Sequence, residues 1–166
     1  MTGPAEVMPG QPIILNVATI DNSSSVELSD FYFRAVLPYT AIRLDRIFTG
    51  TFNYSLRYSV MFRTNLNGNW RVAHDNLSSR TNNSLNMAGG ALGLANNEHI
   101  TEIMFSFGSV HEGFATEIAP RLEGTVHQGL RSGYEFFTRA DAGGRIGDEW
   151  VISNAVWQTN VFAPGR

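Results

Sequence analysis

Hydrophobic and polar residues alternate along several short stretches of the chain. One such stretch is 30–38, where Phe31, Phe33, Ala35 and Leu37 alternate with Tyr32, Arg34 and Val36. A period of two places successive side chains on opposite faces of a strand. This stretch therefore predicts a strand with one buried face, and the alternation resumes at Ile42 and Leu44 beyond a corner at Pro38.

A second alternating stretch predicts a β-hairpin over residues 55–75. Leu56, Tyr58, Val60 and Phe62 alternate with residues 57, 59, 61 and 63, which are Arg, Ser, Met and Arg, and the chain returns through Trp70 and Val72 after Asn67-Gly68. Asn-Gly is favoured in tight hairpin turns, because both residues tolerate a positive φ.

Further apolar stretches complete an all-β pattern. Strands are expected over 13–20, 100–110, 121–127, 133–139 and 150–162, with a turn at 143–147, while 91–95 is expected to form one helical turn or a bend. No helical pattern of 10 to 15 residues separates the strands. The predicted fold is an immunoglobulin-like two-sheet β-sandwich with about eight strands and short irregular loops.

The length fits a single domain covering residues 1–166. Prolines at 4, 9 and 12 interrupt the start of the chain. Because proline cannot donate a backbone hydrogen bond, this opening is expected to be a loose lead-in with a short first strand and a turn, and residues 1–8 could be the end of a linker.

Composition excludes several classes of function. The net charge is −3, which gives no cationic excess to neutralise phosphates, so nucleic acid is not expected as a partner. All basic residues are arginine and cysteine is absent, which removes lysine Schiff-base, thiolate and disulfide chemistry. No apolar run is long enough to span a bilayer, so direct membrane insertion is not expected, and an export signal would have to lie on a longer precursor.

Parts of the sequence resemble modules of Gram-positive bacterial cell-surface proteins. The segment from Pro9-Gly10 to Val36-Leu37-Pro38 is similar to the start of their immunoglobulin-like repeats. The stretches 62–68, 91–94 and 107–110, with Gly113-Phe114, resemble modules near the C-terminal ends of such proteins. The resemblance covers about residues 9 to 162 and implies an extracellular location, at the cell surface or in the cell wall, without implying catalytic residues.

The candidate metal ligands are few. A Gly-rich acidic stretch contains Asp141, Asp148 and Glu149, whose oxygens suit Ca²⁺, although its spacing departs from the EF-hand pattern. The histidines at 74, 99, 111 and 127 lack a paired metal-ligand spacing, so a site built from them would have to be assembled across strands. Apart from calcium, no cofactor is expected.

The aromatic residues suggest a different site. Exposed rings stack on sugar faces, and Trp70 and Tyr54 are the candidate ligand-binding residues, whereas strand alternation favours a buried position for Tyr58 and Trp157. No catalytic residue is assigned, because no nucleophile motif is present. A hydrolase with a cross-strand acid pair would need two facing carboxylates in a cleft; Glu102 is expected on the solvent face of its strand.

These observations favour a non-enzymatic structural or adhesive module of a larger bacterial cell-surface protein. The alternative is a carbohydrate-binding module that uses exposed aromatic residues, and a hydrolase is third. The expected partners are neighbouring domains of the same polypeptide, and carbohydrate or a host or cell-surface protein.

Overall fold

The computed structural model describes residues 1–164, and these form thirteen strands and one short helix. Nine of the strands contain five residues or more. In chain order the elements are β1 (Glu6–Val7), β2 (Pro12–Asn16), β3 (Leu28–Val36), β4 (Ile42–Phe48), β5 (Thr51–Phe52), β6 (Arg57–Thr64), β7 (Arg71–Ser78), β8 (Ser84–Asn86), α1 (Gly89–Leu92), β9 (Ile100–Val110), β10 (Thr116–Ile118), β11 (Arg121–Val126), β12 (Glu135–Ile146) and β13 (Glu149–Val161).

The strands form two main sheets. The large sheet has the order β1-β13-β12-β3-β9-β6-β7, and the small sheet has the order β2-β11-β4-β8. All neighbouring strands are antiparallel except β1 and β13, and β5 and β10 form a separate pair. The predicted all-β, two-sheet sandwich is confirmed.

The core lies between the sheets and follows the predicted alternation. Phe31, Phe33 and Ala35 on β3, and Ile103 and Phe105 on β9, are all less than 4% exposed. An aromatic cluster fills one end, where ring centroids lie 4.9 to 6.2 Å apart, within the range of favourable edge and offset contacts. Its members are Phe31, Phe52, Tyr58, Phe105, Phe107 and Phe114.

The hairpin predicted over 55–75 is present as β6 and β7, but its turn differs from the expected one. Residues 65–70 connect the strands, and Gly68 does not adopt a positive φ. The loop is closed by Thr64, whose N–H donates to Asn67 O at 3.0 Å and whose Oγ1 accepts from Asn67 N–H at 3.1 Å. Side-chain hydrogen bonding therefore replaces the tight Asn-Gly turn.

The turn predicted at 143–147 was placed too early. Gly143 and Gly144 lie inside β12, and the strand reverses at Gly147 and Asp148. A Cβ on Gly143 would lie 2.2 Å from Val151 O, so glycine here permits close backbone approach within the hairpin.

Residues 1–8, for which the sequence left open a short first strand or the end of a linker, contact the sandwich. Thr2 forms an antiparallel bridge to Asn16, and β1 pairs with Asn160 and Val161 of β13. Val7 is only 2% exposed.

Candidate functional site

The outer face of the large sheet carries a band of half-buried polar and aromatic side chains. Strand alternation that buries Phe31 and Phe33 turns Tyr32 and Arg34 to this face. Pairing with the neighbouring strands places Asp141 of β12 opposite Arg34. Glu102 of β9 lies opposite Val36, two residues beyond Arg34 on the same face.

Asp141 accepts hydrogen bonds from two residues of β3. The phenol of Tyr32 donates to Asp141 Oδ2 at 2.7 Å, and Arg34 Nε donates to Oδ1 at 2.9 Å. Burial, followed by the hydrogen bond to Asp141, raises the pKa of Tyr32 to about 12. The Asp141 side chain is only 11% exposed, so its carboxylate interacts mainly with Tyr32 and Arg34 and little with solvent.

Glu102 extends the band toward the other edge of the sheet. One of its oxygens lies 3.4 Å from Arg34 Nη1, and the other accepts a hydrogen bond from Arg63 Nε on β6. As expected from the sequence, Glu102 is on the face turned away from the core, although its side chain is only 14% exposed. The band thus pairs two arginines with two carboxylates and has no net charge.

Tryptophans stand at the two ends of the band. The Trp150 ring on β13 lies 6.0 Å from Tyr32 and is 51% exposed, with the guanidinium of Arg145 at 5.8 Å. Trp70 is half-buried because Arg63 lies over its ring at 4.5 Å. We call this band the outer platform; its members are Trp150, Tyr32, Asp141, Arg34, Glu102, Arg63 and Trp70.

A shallow depression of about 410 Å³ lies on the outer platform beside β13. Its surface is formed by the Arg34–Asp141 ion pair together with apolar side chains and the amide of Asn154. The lining residues are Arg34, Val36, Arg139, Ala140, Asp141, Asn154, Ala155 and Val156. A ligand resting there would meet hydrogen-bonding groups and apolar surface together.

The structure does not bring the two predicted ligand-binding residues together. Trp70 belongs to the outer platform, whereas Tyr54 precedes β6 and its ring lies 5.7 Å from His111 at the other end of that strand. The length of β6 separates them by roughly 20 Å or more, at about 3.3 Å per residue. Of the two rings predicted to be buried, Tyr58 is 3% exposed and Trp157 is half-buried.

The three predicted calcium ligands are also apart. Asp141 lies within β12 and pairs with Arg34, while Asp148 and Glu149 are exposed at the tip of the β12–β13 hairpin. The intervening strand separates them by about 20 Å. The acidic calcium loop inferred from the sequence is therefore not formed, because its first half is strand.

The histidines are distributed around the molecule. His99 and His127 are nearest, with ring centroids 6.2 Å apart, and His127 Nε2 lies 2.8 Å from Tyr39 O. Within residues 1–164, no group of three or more histidine or acidic side chains is arranged to hold a metal ion.

Sequence reasoning missed Tyr32, Arg34, Asp141 and Arg63 as members of one site. Their positions between buried residues indicate an outward face, but strand order and register decide which outward residues meet. Trp150 begins the stretch 150–162 that the sequence predicted as a strand, and only the pairing of β13 with β12 places it beside Tyr32.

Comparisons with known proteins show no close relative. No protein-family model matches the sequence, and none of the curated proteins compared with it matches. Several solved structures match, and two of them are similar at low TM-scores. One is AvmM, which catalyses macrocyclization in alchivemycin A biosynthesis, with 12% identity, 95% of this chain and 84% of that chain covered, and a TM-score of 0.36. The other is ACE19, the collagen-binding subdomain of the Enterococcus faecalis surface protein ACE, with 10% identity, coverage of 96% and 92%, and a TM-score of 0.33.

None of the helices formed by residues 1–164 has the length and apolar character needed to cross a membrane.

Proposed function

We propose that this chain is a non-enzymatic adhesive module of a larger bacterial cell-surface protein, and that its outer platform binds a neutral carbohydrate polymer. The observation that carries the proposal is the line of paired side chains from Trp150 through Tyr32, Asp141, Arg34, Glu102 and Arg63 to Trp70. The extracellular setting rests on the sequence resemblance.

The shape of the platform favours an extended ligand over a small substrate. Small-molecule sites are usually concave and bury most of the ligand, whereas this face is a sheet surface with shallow depressions. Glu102 and Asp141 lie on strands either side of β3, and Arg34 stands between them. That arrangement suits binding better than acid-pair hydrolysis, which requires a cleft between two facing carboxylates.

The chemistry of the platform favours a neutral, hydroxyl-rich ligand. Trp150 offers an exposed ring for stacking on a sugar face. The carboxylate–guanidinium pairs hold hydrogen-bonding groups in place, since charge-assisted contacts are geometrically specific. Because the charges are already paired, a strongly charged polymer gains little net attraction.

Binding to a panel of immobilised polysaccharides, measured with the whole chain, tests the proposal. We expect at least one neutral polysaccharide to bind, and Trp150→Ala to reduce its affinity at least about tenfold, the range for loss of an aromatic anchor. Ile14→Ala is the matched control, because Ile14 is 45% exposed on β2, in the opposite sheet. Trp70→Ala should have a smaller effect, since Arg63 covers that ring.

The outcomes separate the alternatives. If the chain binds a host or cell-surface protein such as collagen and no polysaccharide, the ligand of the module is a protein and the carbohydrate proposal is wrong. Equal losses for Trp150→Ala and Ile14→Ala would remove the platform as the site. Turnover of any bound polysaccharide by the isolated chain would overturn the non-enzymatic assignment.

A further inference from the structure

The edge of the large sheet formed by β13 is largely open. The short strand β1 pairs only with Asn160 and Val161, with Asn160 N–H donating to Ala5 O and Phe162 N–H donating to Val7 O. Just before β1, Pro4 O accepts hydrogen bonds from the side chains of Trp157 and Thr159. Val161 N–H instead donates to Tyr134 O, toward β12. Backbone direction alternates along a strand, and β12 and β13 pair without a register shift. Even-numbered residues from Trp150 to Gln158 therefore direct their N–H and C=O groups to the uncovered edge.

The same strand exposes apolar side chains on both faces. Ile152 and Val156 are 48% and 54% exposed on the outer face, and Val151 is 46% exposed on the inner face. A cleft of about 190 Å³, lined in part by Val17, Phe33 and Ala155, lies on the inner side, where the small sheet does not cover the hairpin. Adjacent exposed apolar residues of this kind mark interaction surfaces.

Features that usually protect an edge strand are absent from the open part of β13. Between Trp150 and Gln158 there is no charged residue, no proline and no bulge. Natural edge strands are normally blocked by at least one of these. An unprotected edge with its apolar surface is a template for the addition of another strand.

We infer that β13 pairs antiparallel with β13 of a second copy of this chain, forming a twofold dimer with a continuous sheet. The turn at Gly147 and Asp148 limits the open edge on one side, and β1 limits it on the other. The midpoint of Trp150–Gln158 is Asn154, so a twofold axis at Asn154 uses the whole edge.

This register is compatible with the side chains. It places Ile152 opposite Val156 of the partner on the outer face, and Asn154 opposite its own copy, where the two amides can hydrogen-bond. Trp150 faces Gln158, and the paired segment Trp150–Gln158 contains no charged residue. Cross-strand apolar pairs stabilise such a pairing, while like charges would oppose it. The twofold axis would also place two outer platforms on one continuous sheet.

Cysteine cross-linking tests the register, because the chain contains no cysteine of its own. Residues in a hydrogen-bonded antiparallel pair have Cα atoms about 5.5 Å apart, within the range for a disulfide. We expect Asn154→Cys to form a covalent dimer under mild oxidation at least about tenfold faster than Val72→Cys, since proximity raises the effective thiol concentration. Val72 is the control, because it is 53% exposed on β7, at the opposite edge of the same sheet.

Solution mass gives an independent readout. The chain should sediment as a dimer at high concentration, and Asn154→Pro should shift it to monomer, because proline removes an edge-directed N–H without removing a hydrogen bond to β12. Asn154→Ala keeps the N–H and should remain largely dimeric. If Asn154→Pro unfolds, Ile152→Lys provides a second disruption, because it replaces the apolar contact between Ile152 and Val156 of the partner with a lysine.

A wild-type chain that stays monomeric at all concentrations, together with equal cross-linking of Asn154→Cys and Val72→Cys, would overturn the inference. So would a dimer that Asn154→Pro and Ile152→Lys leave intact. The result is separate from the carbohydrate proposal, because a monomeric chain can still bind polysaccharide through Trp150, and a dimer can form without doing so.

Discussion

Tyr32 and Asp141 are 109 positions apart in the chain, yet the phenol of Tyr32 donates a hydrogen bond to the Asp141 carboxylate at 2.7 Å. The contact exists because β3 and β12 are neighbours in the large sheet. It holds Tyr32 beside Trp150 at one end of the outer platform. It also raises the pKa of Tyr32, which can be measured by titration.

The titration of Tyr32 should report this contact. Burial and Asp141 raise its pKa to about 12, so we expect Asp141→Asn to lower it toward the ordinary value of about 10. NMR of ring-labelled tyrosine measures it, and Asp30→Asn is the control, because Asp30 pairs with Arg145 instead. A wild-type Tyr32 that ionises near pH 10 would contradict the assignment.

The same shift has a consequence for stability at high pH. The folded pKa is raised, so the folded chain retains a proton that the unfolded chain loses near pH 10. The contribution of Tyr32 to the free energy of unfolding is therefore fully present below about pH 10 and is lost as pH rises to about 12.

Phe105→Ala should lower the free energy of unfolding by about 3–5 kcal/mol, the range for removal of a buried aromatic ring. Phe105 is fully buried, with the Phe33 ring in edge contact at 5.5 Å, so Phe33→Ala should have a similar effect. Urea denaturation measures both. Phe162→Ala, at a residue that is 49% exposed, should cost far less, and comparable losses would mean that the buried faces were assigned wrongly.

Tyr58→Phe should be neutral or stabilising, by up to about 1 kcal/mol. The ring is buried against Phe107 at 4.9 Å, and its hydroxyl lies beside the side chains of Thr49 and Asn83, which bond to each other, without a well-formed hydrogen bond to either or to any other of residues 1–164. Removing an unsatisfied buried hydroxyl removes a desolvation penalty. A loss greater than about 1 kcal/mol in the same urea assay would indicate a hydrogen bond at that oxygen.

Gly143→Ala should destabilise the fold by about 1–3 kcal/mol, because its Cβ would meet the Val151 carbonyl oxygen at 2.2 Å and the hairpin must move apart. Gly68→Ala is the matched control, since nothing lies within 4 Å of its Cβ and its φ is not positive. Thermal unfolding of the pair distinguishes a close backbone approach from a general effect of replacing glycine.

Calcium should leave the thermal midpoint unchanged at millimolar concentration. A bound ion would stabilise the folded state by mass action, but Asp141 is separated from Asp148 and Glu149 by the length of a strand. Chelator-treated protein provides the reference. An increase in midpoint that Asp148→Asn abolishes would restore a calcium site at the hairpin tip.

The sequence determined the local structure wherever one face of a strand is buried. Alternation in 30–38 and the apolar run at 100–110 predicted β3 and β9, and the latter has the predicted bounds, Ile100–Val110. The two-sheet class followed from these strands and from the lack of helical periodicity. Glycine was a poorer guide, because Gly143 and Gly144 can mark either a turn or a close backbone contact, and the residues alone do not distinguish the two.

Only the tertiary structure decided which outward-facing residues meet. Alternation predicts that Tyr32, Arg34 and Glu102 point away from the core, but their contacts depend on β3 lying between β12 and β9 in a particular register. The open edge of β13 likewise follows from the strand order. Burial leaves a period of two in the sequence of each strand, whereas pairing between distant strands depends on backbone hydrogen bonds that every residue type except proline can form, and so leaves little trace in it.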